Sequence, residues 1–169
     1  LGHELGLKAS HYWRNYINGD TVNTDSVVVY YFSLLRDFIS VQNTSGYENL
    51  KSRGLELIQD DSLRNAIIAL YEYDYNTLKT FEEEYNETQF HSNYFKELNQ
   101  YIAPQLVFDA KGRIVGLDQP LVMDESERKV ALSYLWKIEG NRQFTLSLYG
   151  QIKANIQALK KRLEGSFET

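Results

Sequence analysis

Apolar residues recur at steps of three and four along most of the chain, the mark of helices with one buried face. Leu5, Ala9, Tyr12 and Tyr16, with Trp13 and Ile17 beside them, predict a first helix over residues 4–18, weakened at its start by Gly2 and Gly6. Asn18-Gly19-Asp20 reads as a stop and turn. Val27, Tyr31, Leu34/Leu35 and Phe38 predict a second helix, capped by Asp25 or Ser26 and running through Val41. Its β-branched start, Val27-Val28-Val29, favours a strand, but a pattern of about sixteen residues is longer than strands usually run. A short helix from about Tyr47 to Arg53 is predicted to end at Gly54, a left-handed residue past the helix end. Asp60-Asp61-Ser62 offers caps for the next helix.

That helix carries the longest stripe: Leu63, Ile67, Leu70, Asp74, Leu78, Phe81, Tyr85, Phe95, Leu98 and Ile102. Unbroken over 61–102 it would span about 63 Å at 1.5 Å per residue, so a bend or break is expected between Asn86 and Ser92. Between Pro104 and Pro120, Leu106–Ala110 and Arg113–Leu117 flank Lys111-Gly112, which predicts a β-hairpin, with an irregular loop as the alternative. Asp124 with Glu127 three residues on resembles a capping box. Val130, Leu132, Tyr134, Leu135, Trp136 and Ile138 are apolar nearly all round, so this last helix is expected to be the most buried. Gly140-Asn141 is expected to turn or kink it. Tyr149, Ile152, Ile156, Leu159 and Leu163 then form a seam expected to pack against the helix that starts at Leu63. The fold expected is mainly α: an antiparallel bundle of four or five helices in a single domain, 1–169, with a small β-hairpin or loop insertion near residues 104–120.

Composition narrows the chemistry. The chain has no cysteine, which excludes disulfides, thiolate metal sites and cysteine nucleophiles. With 18 basic against 23 acidic residues the net charge is −5, so no nucleic acid is expected as a partner. The longest unbroken apolar run, Val27–Phe32, falls far short of the roughly 20 residues that cross a bilayer. The chain opens at Leu1 inside a pattern that already reads as helical. It is therefore expected to be a fragment or processed product, touching a membrane only through a missing N-terminal anchor.

No phosphate loop, nucleophile elbow or dinucleotide fingerprint occurs, so neither catalytic residues nor cofactors are expected. His3, His11 and His91 lack the spacing of a helical metal pair and are expected at the surface, with no metal bound. Glu82-Glu83-Glu84 fans around a helix and reads as a solvated face. The one ionisable residue within an apolar stripe is Asp74, near Tyr71, Tyr73 and Tyr75 and ten residues after Arg64. A buried carboxylate needs a partner. Asp74, Tyr71, Tyr75 and Arg64 are thus the candidate ligand-binding residues, with a structural hydrogen bond at Asp74 as the cheaper account.

The segment Tyr47-Glu48-Asn49-Leu50-Lys51-Ser52-Arg53-Gly54-Leu55-Glu56-Leu57-Ile58, followed by Asp60–Ile67 and Leu70-Tyr71, resembles a family of uncharacterised Bacteroidetes proteins. Those combine an N-terminal transmembrane anchor with a helical extracytoplasmic domain. The resemblance implies a periplasmic domain, membrane-anchored in the full-length protein, and implies no catalytic residue. From the residues alone, the same block makes a helix–turn–helix corner. The function expected is a non-catalytic sensor, scaffold or interaction module that meets a protein partner or itself. The alternative is a small-ligand-binding protein or small helical enzyme with a site inside the bundle near Asp74.

Overall fold

The computed structural model describes residues 2–35, 39–84, 94–118 and 121–167, the side chains of 24, 35, 166 and 167 excepted. The protein is mainly helical, with one two-stranded antiparallel sheet among those residues. In chain order come α1 (Gly2–Asn18), a 3-10 turn (Thr24–Ser26), α2 (Val27–Leu35), α3 (Ser45–Arg53) and a 3-10 turn (Leu55–Leu57). Then follow α4 (Asp61–Ile68), a π-helical turn (Ala69–Asp74), α5 (Tyr75–Glu83), α6 (Phe95–Ile102) and a 3-10 turn (Ala103–Gln105). β1 (Leu106–Phe108), β2 (Ile114–Leu117) and α7 (Glu125–Phe167) complete the chain. Two compact units result, Leu1–Phe38 with Tyr85–Leu146, and Ile39–Glu84 with Ser147–Thr169.

In the first unit α1, α2, α6 and the first part of α7 share a core that includes Ala9, Trp13, Val27, Tyr31, Leu34, Leu98, Ile102, Leu135 and Ile138. Val27, Tyr31 and Leu34 fall on one face of α2, so packing overrides the strand preference of its valines. The turn after α1 needs Gly19, whose φ is +88°. Helix α2 does not reach Val41. Ile39–Val41 is non-helical, and the Ser40 N–H is given to the Glu82 carboxylate instead.

The hairpin forms. Leu106 lies opposite Leu117, Val107 opposite Gly116 and Phe108 opposite Ile114, with an irregularity between Val107 and Phe108. Its turn is organised by Asp109, whose Oδ1 accepts the N–H groups of Lys111 (2.8 Å) and Arg113 (2.9 Å), while Gly112 takes a φ of +73°. Leu106, Ile114 and Leu117 pack on the core of the unit, which supplies the support that an isolated hairpin lacks.

Helix α7 starts on the expected capping box. The Asp124 N–H donates to Glu127 Oε2 at 2.9 Å, and the Glu127 N–H donates to Asp124 Oδ1 at 2.8 Å. Two expectations for this helix fail. It runs unbroken through Gly140-Asn141. A mid-helix glycine costs about 1 kcal/mol, which is small against the burial of Leu135, Ile138 and Thr145 on either side. Nor is the helix buried all round. Ala131, Leu135, Ile138, Arg142 and Thr145 form a narrow buried line, while Val130 lies on the exposed side and Trp136 is 72% exposed. Gly6 of α1 makes room for buried Arg142, because a Cβ there would run into its guanidinium.

In the second unit the seam of α7 meets α4 and α5 as expected. Ile152 and Leu159 are buried with Tyr47, Leu63, Ile67, Leu70 and Leu78. Ile156, by contrast, is 37% exposed, since only the sevenfold-spaced pair faces straight into this core. Asp60 caps α4 through its Oδ1, which accepts from Leu63 N at 3.0 Å. Gly54 has a positive φ of +102°, but its ψ of 120° lies outside the left-handed helical basin. The break expected between Asn86 and Ser92 lies outside the described residues.

Candidate functional site

The irregularity that shapes the second unit is the π-helical turn. Its closing bond runs from Tyr75 N–H to Leu70 O, five residues back, so the turn holds one residue more than an α-turn. The effect on phase is direct. Leu70 and Leu78, eight apart, would sit about 80° out of register on an unbroken α-helix. With one residue absorbed they behave as a sevenfold pair, and both are buried. Asp74 is the residue displaced by this shift, which is why it sits in the stripe on paper and outside the core in space.

The same turn sets Tyr71 and Tyr75 side by side, ring centroids 5.1 Å apart and edge-on. Tyr47 from α3 stacks on Tyr71 at 4.5 Å with an interplanar angle of 2°. Its hydroxyl donates to Glu72 Oε1 at 2.8 Å, and Lys51 Nζ reaches the same oxygen at 2.6 Å. The Lys51 ammonium also lies 5.7 Å from the Tyr47 ring centroid. Hydrogen bonding to Lys51 first, and to Tyr47 next, holds the Glu72 carboxyl below its usual range. Burial, followed by the bond to Glu72, pushes the Tyr47 hydroxyl up.

These rings border a cleft of about 410 Å³, whose polar lining includes Ser40, Glu48, Glu72, Asn76, Lys79 and Glu83. One wall, the non-helical segment from Ile39, is fastened by Glu82. This residue is buried, contrary to the expectation of a solvated acidic face. Its Oε2 accepts the N–H of Ser40 at 2.9 Å and the Ser40 hydroxyl at 2.6 Å, and its Oε1 accepts the Tyr149 hydroxyl. Burial first, and then the Glu82 bond, pushes the Tyr149 hydroxyl up to about 12. Sequence reasoning missed Glu82 because a run of three glutamates looks uniformly wet. The signal that marks it is its position four residues after the buried Leu78.

Of the four candidate residues, Tyr71 and Tyr75 line the cleft, and Tyr47 joins them. Asp74 and Arg64 lie outside its lining. The Asp74 Oδ2 accepts from Asn155 Nδ2 at 2.8 Å in an exposed position. Arg64 donates to Ile58 O at 2.9 Å and pairs with Asp61 at the start of α4. Asp74 therefore has a side-chain hydrogen bond, given by the Asn155 amide.

The first unit buries charge as well. Glu139 is 6% exposed, paired with Arg14 at 2.6 Å and with His11 at 3.5 Å, and His3 Nδ1 lies 3.4 Å from Arg142 Nη1. His3 and His11 are thus half-buried in side-chain networks rather than free at the surface. His91 lies outside the described residues. Among the described residues no three His, Asp or Glu side chains gather as a metal site, and no helix is long and apolar enough to cross a membrane. Comparison with family models, curated proteins and solved structures returns no match.

Proposed function

We propose that the chain is a non-catalytic binding module that takes a small polar ligand in the tyrosine-walled cleft of its second unit. The observation that carries this reading is the Tyr47–Tyr71–Tyr75 cluster opening on a cavity within the size range of small-molecule sites. The lining suits binding better than reaction. A phenol is neutral at ordinary pH, and burial moves Tyr47 and Tyr75 further from ionising. They therefore offer apolar faces and, at Tyr75, a hydroxyl rather than bases, the Tyr47 hydroxyl being already given to Glu72. The Glu82 clasp holds the facing wall in place before any ligand arrives, which lowers the ordering cost of binding.

The sensor half of the proposal rests on the resemblance of the Tyr47–Ile58 block. On this reading the domain lies outside the cytoplasm, anchored in the full-length protein, where ligand occupancy passes to a protein partner or to a second copy. Ligand-observed NMR with a panel of small polar compounds, mapped by backbone amide shifts, tests the site. Shifts centred on Tyr71, Tyr75, Asn76 and Lys79 are expected. Specific binders whose shifts gather elsewhere would remove the cleft from the account. Protease added to spheroplasts, from which the outer membrane barrier has been removed, tests the placement, and full protection of the domain would refute it.

A further inference from the structure

The geometry points to a small organic cation, an alkylammonium, as the ligand of this cleft, an inference that rests on the binding reading above. Charge gives the first reason. Among the described residues, Glu48, Glu72 and Glu83 line the cleft with one ammonium, that of Lys79, which lies 3.9 Å from Glu83. Lys51 answers Glu72 from outside the lining. Glu48 is exposed and makes no ion pair among the described residues, and Lys51, the ammonium that acts on it, is already bonded to Glu72. Three described carboxylates thus share two ammonium groups, and one negative charge is in surplus for an incoming cation. An anion would find the one cation among the described lining residues, Lys79, already beside Glu83.

The walls give the second reason. Tyrosine faces carry negative charge density and attract ammonium groups. The chain shows this with its own amine. Lys51 holds its ammonium over the Tyr47 ring while bonding the Glu72 carboxylate, a ring and a carboxylate serving one cation. The cleft offers the same pair of chemistries again, with Tyr71 and Tyr75 as rings and Glu48 as a lining carboxylate. A neutral polyol would use the rings and Asn76 but would leave the extra charge unanswered.

The test titrates the purified chain with choline, putrescine, acetate and glucose, reading backbone amide shifts at low and at high sodium chloride. The two ammonium probes should saturate shifts at Tyr71, Tyr75, Asn76 and Lys79, and salt should weaken them. Glu48→Gln, an exposed change that leaves the core untouched, should raise their Kd about two- to five-fold. Tyr71→Leu should do so by a similar factor, with circular dichroism confirming that the variant is folded. Saturation by glucose or acetate at those amides, with both ammonium probes silent, overturns the cation assignment and leaves the cleft reading standing. Silence of all four probes overturns both. Ammonium binding indifferent to salt and to Glu48→Gln overturns the role given to charge, and with it the assignment.

Discussion

Ser40 gives both its backbone N–H and its hydroxyl to a single oxygen, Oε2, of buried Glu82. The other oxygen takes the hydroxyl of Tyr149, so the hydrogen bonds on this carboxylate come from neutral donors. Glu82→Ala strands those donors, and an unsatisfied buried group costs about 1–3 kcal/mol. A loss in that range is expected by urea denaturation. Glu82→Gln keeps one acceptor oxygen but turns an amide NH₂ towards a donor, so its loss should be smaller. An unchanged midpoint in Glu82→Ala would show that the clasp does not form.

Gly54 ends α3 with φ of +102° and ψ of 120°, a region that side chains other than hydrogen rarely occupy. Gly54→Val should cost about 1–3 kcal/mol through backbone strain. The thermal midpoint reads this directly. A value equal to wild type would mean that the chain turns there by another route.

Ile152 and Ile156 belong to one apolar seam on paper and to different environments in space, 5% against 37% exposed. Ile152→Ala should cost about 2–5 kcal/mol, the usual penalty for a cavity in a packed core. Ile156→Ala should cost clearly less. Equal losses in parallel urea titrations would show that Ile156 is covered in solution, as a self-associating surface would cover it, and sedimentation at several concentrations would then reveal the partner copy.

The elements that were legible in the sequence are those whose signal is local. Asp124 and Glu127 announce a helix start through groups three residues apart, Gly54 marks a stop, and Lys111-Gly112 between β-branched runs marks the hairpin. What was not legible depends on distant partners. Trp136 looks like core and is exposed, whereas Glu82 looks wet and is buried, because only the fold decides which side of a helix has neighbours. Gly140 looks like a turn, yet it sits in a helix held by the packing on both sides of it. Of the candidate site, the sequence marks the stretch around Asp74, in which Tyr71 and Tyr75 line the cleft proposed above. The π-turn then moved Asp74 itself aside, and an extra residue in a helix has no signature except a stripe that slips. In the sequence Tyr47 reads as part of a structural corner; its stacking on Tyr71 is a tertiary contact with no local signal.

The alkaline limb of stability should report on the Tyr149–Glu82 bond. Burial and that bond raise the Tyr149 hydroxyl from an ordinary value of 10.0 to about 12 in the folded protein. A raised value means that the fold favours the neutral, donating form. The stabilisation is therefore complete below about pH 10, where both states keep the proton. Above it the unfolded chain ionises first, and the stabilisation drains away as pH rises towards about 12. Burial raises Tyr12, Tyr16, Tyr31, Tyr47, Tyr75 and Tyr101 as well, so wild type alone would not isolate this residue. The comparison with Tyr149→Phe does. The stability advantage of wild type over the variant should be constant from about pH 7 to about pH 9 and should shrink by about pH 11. Ultraviolet titration of the variant should lack one late-ionising tyrosine. An advantage that stays flat to about pH 11 would mean that Tyr149 ionises as freely in the folded chain as in the unfolded one, and that its bond to Glu82 contributes nothing.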